Sequence, residues 1–244
     1  MTLGFKISES THIYNSVVNT LKTAGFRIIS PNSSKWNVLW TGQTKPELLK
    51  EATKYQKVNH FPCSFQIGRK DLMYKNYARM KRQFEDYNFC PKTYLFPEDH
   101  RKFCLDRETD NYKHMYIMKP SASSCGRGIK IIGSKQEVKK KNGYIVSQYI
   151  ASPLLINGFK FDLRIYALVT CFEPLKVYLF KEGLARFATK KYTTNASATD
   201  KQFIHLTNYS VNKHNEEYVK ASGSANNKAN AEEEDENASK WNLA

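Results

Sequence analysis

The sequence predicts an α/β chain of the α+β kind, with an N-terminal α/β lobe, a central lobe built on a hairpin, and a C-terminal lobe of antiparallel strands. Three observations predict it. Residues 11–24 place Ile13, Val17, Val18 and Leu21 on one side of a helix that Gly25 stops, and the runs 26–30 and 37–40 after it read as strands. Residues 116–132 form an apolar strand ending in Lys119, a loop of small residues, and a second apolar strand. Residues 159–170 begin in strict alternation: Lys160, Asp162 and Arg164 share one face, and Phe159, Phe161, Leu163 and Ile165 the other.

The remaining elements follow in order. Residues 72–87 read as a basic helix ended before Pro91, and Lys70, Lys75, Arg79, Lys81 and Arg82 read as its solvated surface. A short helix is expected around 136–141 and a strand over 143–150. Two long strands, 159–171 and 176–181, open the third lobe. Residues 220–238 lack periodicity and carry the run Glu232–Glu236, which predicts a disordered acidic insertion. The lobes are drawn at 1–95, 96–150 and 151–244.

Composition narrows the function classes. At 41% apolar and 25% charged over 244 residues, the chain can bury one or two cores. No apolar run nears the roughly 20 residues that span a bilayer, and the first ten residues lack the apolar centre of a secretory signal. Cys63, Cys90, Cys104, Cys125 and Cys171 are scattered without CxxC spacing, so free thiols in a reducing, cytoplasmic compartment are expected and a zinc site is not. The net charge is +15, although the last thirty residues are acidic. Such a field draws polyanions. Nucleic acid is the default partner for that charge, but the aromatics sit in strand-like runs with no stacking-platform motif, so no specific nucleic acid is expected. An acidic peptide fits the charge equally well.

Some segments carry chemistry. The loop 121–128 holds Ser, Ala, Cys and Gly, which let backbone N–H groups approach phosphate oxygens. Lys119 would add a point charge there, while the plain alternative is an ordinary hairpin loop. Lys160, Asp162 and Arg164 put two cations and a carboxylate in one groove, unless that face is simply solvated. Gly183-Leu184-Ala185-Arg186-Phe187 and His205-Leu206-Thr207-Asn208-Tyr209-Ser210 follow. His205 reads as a hydrogen-bonded structural histidine rather than a general base.

Taken together with Trp36-Asn37-Val38-Leu39-Trp40, Val58-Asn59-His60-Phe61-Pro62, Gly68-Arg69-Lys70-Asp71, Cys90-Pro91-Lys92-Thr93-Tyr94, Ser147-Gln148-Tyr149-Ile150 and Ser239-Lys240-Trp241, these segments run in one order. In that order the chain resembles the tubulin tyrosine ligase-like family, in its polyglutamylase branch, from about residue 30 onward. The resemblance implies an ATP-grasp-like fold, with the 116–132 hairpin binding nucleotide and the C-terminal lobe incomplete. It implies an ATP- and Mg²⁺-dependent ligase that joins free L-glutamate to glutamate side chains of tubulin's acidic C-terminal tails. A monomer on microtubules is implied, in the cytoskeleton and at cilia or basal bodies.

Carried over by position, Lys119 resembles the phosphate-binding lysine, with Gly126 in its loop. Gln148, Tyr149 and Ile150 resemble the hinge that meets adenine. Lys160, Asp162, Thr207 and Asn208 resemble further ATP contacts. Arg186 resembles the partner of an incoming glutamate carboxylate, for which a guanidinium fork suits. Tyr209, Ser210 and Lys240 resemble its companions, and Arg164 a cation near the transferred phosphate. Lys119 and Arg164 are the residues expected to act in catalysis.

The chain departs from the family in two places. Cys125 stands where related polyglutamylases carry arginine or glutamine to meet the acceptor, and a thiol cannot make that bidentate contact; Arg127 is two residues away. The family's Mg²⁺ ligands, an aspartate and a Glu-x-Asn set, are expected beyond residue 244, so the sequence reads as a fragment that is itself inactive. A non-catalytic nucleotide- or tubulin-binding module stays open as the second reading.

Overall fold

The computed structural model describes residues 3–9, 11–42, 46–195, 202–220 and 238–243. The expected acidic insertion at 220–238 lies, apart from its two end residues, outside the described residues. The chain divides into two compact units, Met1–Gly68 and Arg69–Ala244. That boundary differs from the lobe edge drawn at residue 95, and the edge drawn at 150 falls inside the second unit.

The first unit holds β1 (Gly4–Ile7), α1 (Asn15–Thr23), β2 (Arg27–Ile28), β3 (Val38–Trp40), α2 (Pro46–Glu51), β4 (Lys57–Val58) and the short α3 (Phe65–Gly68). Its strands form a parallel sheet in the order β2-β1-β3-β4, over a core of Phe5, Trp36 and Leu39. Helix α1 stops where the sequence predicts. Gly25 takes φ 85°, its N–H bonds Lys22 O at 2.9 Å, and Phe26 N–H bonds Leu21 O at 3.0 Å. That is the paired closure a C-terminal glycine makes possible. Asn59 splints the sheet edge by accepting from Thr41 N at 2.9 Å and donating to Thr41 O at 3.0 Å.

The second unit begins with α4 (Lys70–Lys81) and β5 (Thr93–Phe96). Both belong here for a physical reason. Strand β5 pairs along its whole length with β8 (Tyr144–Gln148), and α4's Tyr74 hydroxyl accepts from Thr93 N at 3.1 Å. The expected helix to residue 87 ends at Lys81, because the chain doubles back and hangs Tyr87 O and Cys90 N on the Tyr77 hydroxyl. Between β5 and β8 lie α5 (His100–Thr109), β6 (Tyr116–Pro120) and β7 (Lys130–Ile132). The four strands form an antiparallel sheet, β5-β8-β6-β7. Tyr94, Phe96, Phe103, Tyr116, Met118, Ile132, Val138 and Val146 make its core.

No helix forms at 136–141. The carbonyls it would use are already engaged: Arg107 Nη2 donates to Ser134 O and, at 2.9 Å, to Gln136 O, and the His100 ring meets Val138 O at 2.8 Å. An extended loop with Val138 in the core results.

The unit continues through β9 (Leu155–Ile156), β10 (Phe159–Phe172), β11 (Leu175–Phe187), α6 (Gln202–His205), α7 (Tyr209–Asn212) and β12 (Lys240–Asn242). They build a second antiparallel sheet, β12-β11-β10-β9. The runs 176–181 and 184–187 are one strand, β11, bent at the register shift near Gly183. A Cβ on Gly183 would stand 2.7 Å from Arg164 O. Beyond the bend the β10–β11 ribbon is apolar and exposed, with Leu168 63% and Leu179 72% accessible. No helix of the described residues is long and apolar enough to cross a membrane.

Candidate functional site

A cavity of about 520 Å³ opens in the second unit. Its walls are apolar, from Ile117, Ile145 and Phe161, with Ile150 at its exposed mouth. Its charged lining is three lysines, Lys70, Lys119 and Lys160, brought from α4, β6 and β10. Gln148 and Tyr149, where β8 ends, complete the wall.

The lysines are held, not merely nearby. Lys70 Nζ donates to Pro120 O at 3.3 Å and to Ser123 O, so it grips the small-residue loop. Lys160 Nζ donates to the Tyr149 hydroxyl at 2.9 Å and to His205 O at 3.0 Å. Burial is the first cause lowering all three ammonium pKa values, and Lys119 also feels repulsion from Lys70. Lys160 is pushed down to about 8, by burial and then by Lys119. Asp71 favours the Lys70 charge and Asp162 that of Lys160, but burial outweighs both; desolvated like charges are costly, and a polyanion in the cavity would relieve that cost. Lys70 corrects the sequence reading, which put it on solvated helix surface. Its partners lie about fifty residues away, so no local pattern shows them.

The loop tip is fastened to α7. Ser210 Oγ donates to Cys125 O at 2.7 Å. Gly126 takes φ 75°, and a Cβ there would stand 2.7 Å from Val211 and 3.3 Å from Asn208 Oδ1. Side chains larger than hydrogen cannot seat the loop at that point. Cys125 itself is exposed at φ 61°. Thr207 and Asn208 are half-buried beside this contact, ahead of α7. Buried Asn212 locks α7 in place, accepting from Thr189 N and Oγ1 and donating to Leu206 O and Asn208 O. The sequence reading passed over it.

A second cluster lies across the other sheet. Asp162, Arg186 and Lys240 are directly opposed on β10, β11 and β12, and so form one row on one face. Arg186 Nε donates to Asp162 Oδ1 at 2.8 Å and Nη2 donates to Oδ2. This pairing raises the guanidinium pKa. Lys240 Nζ sits 3.8 Å above the ring of Tyr209. Arg164, two residues along β10, is exposed, and its guanidinium has no hydrogen bond or ion pair among the described residues. Among those residues no group of three His, Cys, Asp or Glu side chains could hold a metal.

Gathered on one cavity, then, are Lys119, Gln148, Tyr149, Ile150 and Lys160. Asp162, Arg186, Lys240 and Tyr209 form the neighbouring cluster, and Gly126, Cys125, Asn208 and Ser210 the loop anchorage.

The model of the tubulin-tyrosine ligase family matches residues 48–242, and the chain belongs to that family. It is 43% identical over 224 residues to the tubulin polyglutamylase TTLL5 of Homo sapiens, covering 87% of this chain and 17% of that protein. It is 39% identical over 243 residues to the tubulin monoglutamylase TTLL4 of Mus musculus, covering 99% of this chain and 19% of that protein. It is 41% identical over 216 residues to the tubulin polyglutamylase TTLL6 of Mus musculus, covering 87% of this chain and 26% of that protein. The chain thus spans between 17% and 26% of the length of these relatives.

Proposed function

We propose that the chain is the nucleotide- and glutamate-binding part of an ATP-dependent protein–glutamate ligase, ATP-grasp-like in build. The observation that carries this reading is the convergence of Lys70, Lys119 and Lys160 on one apolar-walled cavity, beside the Asp162–Arg186–Lys240 row. Family membership with glutamylating relatives supports it. The acceptor is the acidic C-terminal tail of tubulin, which suits the +15 charge and a microtubule and cytoskeletal location, cilia included.

In this reading ATP's adenine lies against Ile117, Ile145 and the backbone of Gln148 and Tyr149, and its phosphates face the three lysines. The chemistry is amide formation. The γ-phosphoryl group passes to a tail glutamate's γ-carboxylate, the amino nitrogen of free glutamate displaces phosphate, and the lost proton goes to solvent. Cations fixed before reaction stabilise the charge that develops. Arg186 meets Asp162 with Nε and Nη2, which leaves its Nη1 edge for a substrate carboxylate, with Lys240 and the Tyr209 hydroxyl alongside. Magnesium belongs to such a reaction, but the described residues do not fit it: Asp162 has both oxygens taken, so no step here is assigned to a metal. Ligation is accordingly ascribed to a protein of the relatives' length, and binding to this chain.

Calorimetry of this chain with a magnesium complex of a β,γ-imido ATP analogue, then with L-glutamate, tests the reading. Saturable binding of both supports it, and binding of neither overturns it. Radiolabelled glutamate incorporation into microtubules by a protein of the relatives' length separates a ligase from the alternative, a non-catalytic nucleotide-binding module.

A further inference from the structure

The hydroxyl of Tyr149 occupies an unusual position. The side chain is 6% exposed and His205 1%. Tyr149 Oη accepts from Lys160 Nζ at 2.9 Å and lies 3.0 Å from His205 Nδ1. Besides Lys160 and His205, the Tyr192 hydroxyl hydrogen-bonds this oxygen, so the Tyr149 hydroxyl is held from three sides. The Lys160 ammonium also sits 4.6 Å from the Tyr149 ring centroid, within cation–π range. Tyr149 follows β8, Lys160 lies on β10 and His205 ends α6, so the chain of contacts joins three elements at the cavity wall.

We infer that Tyr149, oriented by His205, is a positioning residue for Lys160, fixing its ammonium in the cavity for the phosphates of a nucleoside triphosphate. The inference rests on the nucleotide reading above. The groups facing Lys160 are Lys119, which repels it, Asp162, which favours its charge, and Tyr149 with the carbonyl of His205, which accept its protons. Tyr192, whose hydroxyl hydrogen-bonds that of Tyr149, donates to Ala151 O at 2.8 Å. Burial favours the neutral amine, and the two acceptors oppose that loss of charge. Without the tyrosine hydroxyl only one acceptor remains.

The test is the pH profile of the dissociation constant for the magnesium β,γ-imido ATP analogue, measured on the full chain from pH 6.5 to 9.5. Wild type is expected to bind evenly at low pH and to weaken above about pH 8, where Lys160 loses its proton. Tyr149→Phe is expected to weaken binding roughly tenfold at pH 7, the scale of a hydrogen bond to a charged group, and to move the break to lower pH. In a Lys160→Met background the same Tyr149→Phe change should cost nothing further. An equal loss in both backgrounds, or an unmoved break, overturns the inference while leaving nucleotide binding intact. Failure of wild type to bind the analogue overturns the nucleotide reading and the inference with it. In ¹³C-lysine-labelled protein, Tyr149→Phe should lower the titration midpoint of the Lys160 ε-carbon relative to wild type, and an unmoved midpoint would equally overturn the inference.

Discussion

Arg186 and Asp162 face each other directly across β11 and β10, and the guanidinium takes both carboxylate oxygens side-on. The grip fixes the one arginine in the row that has a free edge. A lysine at this position would keep the charge and lose the fork. Arg186→Lys is therefore expected to weaken L-glutamate binding by about 10- to 150-fold, the range of a charge-assisted bidentate contact. Affinity for the ATP analogue should hold. Titrating each ligand in turn is the check; loss of nucleotide with glutamate retained would assign Arg186 to the phosphates.

Lys119→Ala removes one of three cations from the cavity. It is expected to weaken the ATP analogue at least tenfold while thermal stability holds or rises, because the lost group is a desolvated charge repelled by Lys70. Unchanged affinity would reduce the 116–132 segment to a structural hairpin.

Stability of the nucleotide-free chain should rise with pH over a defined window. Lys160 has a folded pKa of about 8, below the roughly 10.4 of an unfolded lysine. Between those values the unfolded state binds more protons, so stability increases with pH. Above about 10 the raised tyrosines, Tyr94 and Tyr149 foremost, reverse the trend, since their folded forms hold protons the unfolded chain releases. The melting temperature should climb by a few degrees from pH 8 to 9.5 in wild type, and this rise should shrink in Lys160→Met. A fall over that range in wild type would contradict the assignment.

The exposed ribbon should govern solubility without touching the site. Leu168 and Leu179 are more than half accessible, and a bare apolar strand pair invites association. Leu168→Lys with Leu179→Lys is expected to reduce light scattering at 37 °C and leave affinity for the ATP analogue within twofold. Unchanged scattering would place the sticky surface elsewhere.

How far the sequence could be read depended on the range of each interaction. The stop of α1 was legible because Gly25 acts on carbonyls three and four residues back. The long strand β10 was legible because alternation is local, and the shared face of Lys160, Asp162 and Arg164 came with it. The false helix at 136–141 failed for the opposite reason: what holds that loop is Arg107 and His100, on a helix whose own pattern is weak, burying little besides Phe103 and Arg107. Lys70 looked like one more cation on a basic helix until Pro120 and Ser123 arrived from the hairpin. Alternation could set Asp162 on a face, but the opposing residue depends on cross-strand register, so its contact with Arg186 was out of reach. Family likeness named Lys119, Gln148, Tyr149, Ile150 and Lys160 among the cavity's residues, and could not say which of them hold one another.

The bend at Gly183 makes one ribbon behave as two materials. On the near side, Ala185 and Phe187 are buried and the Phe187 ring packs at a tilt against Trp241, centroids 4.6 Å apart. On the far side both strands meet water on both faces, and little beyond the ladder itself resists opening. Amide hydrogen exchange should thus change abruptly within β11: protons of Leu184–Phe187 leave slowly, with the folded unit, and those of Leu175–Phe180 leave fast, by local fraying. The far half can breathe on its own timescale while the row of Asp162, Arg186 and Lys240 stays in register.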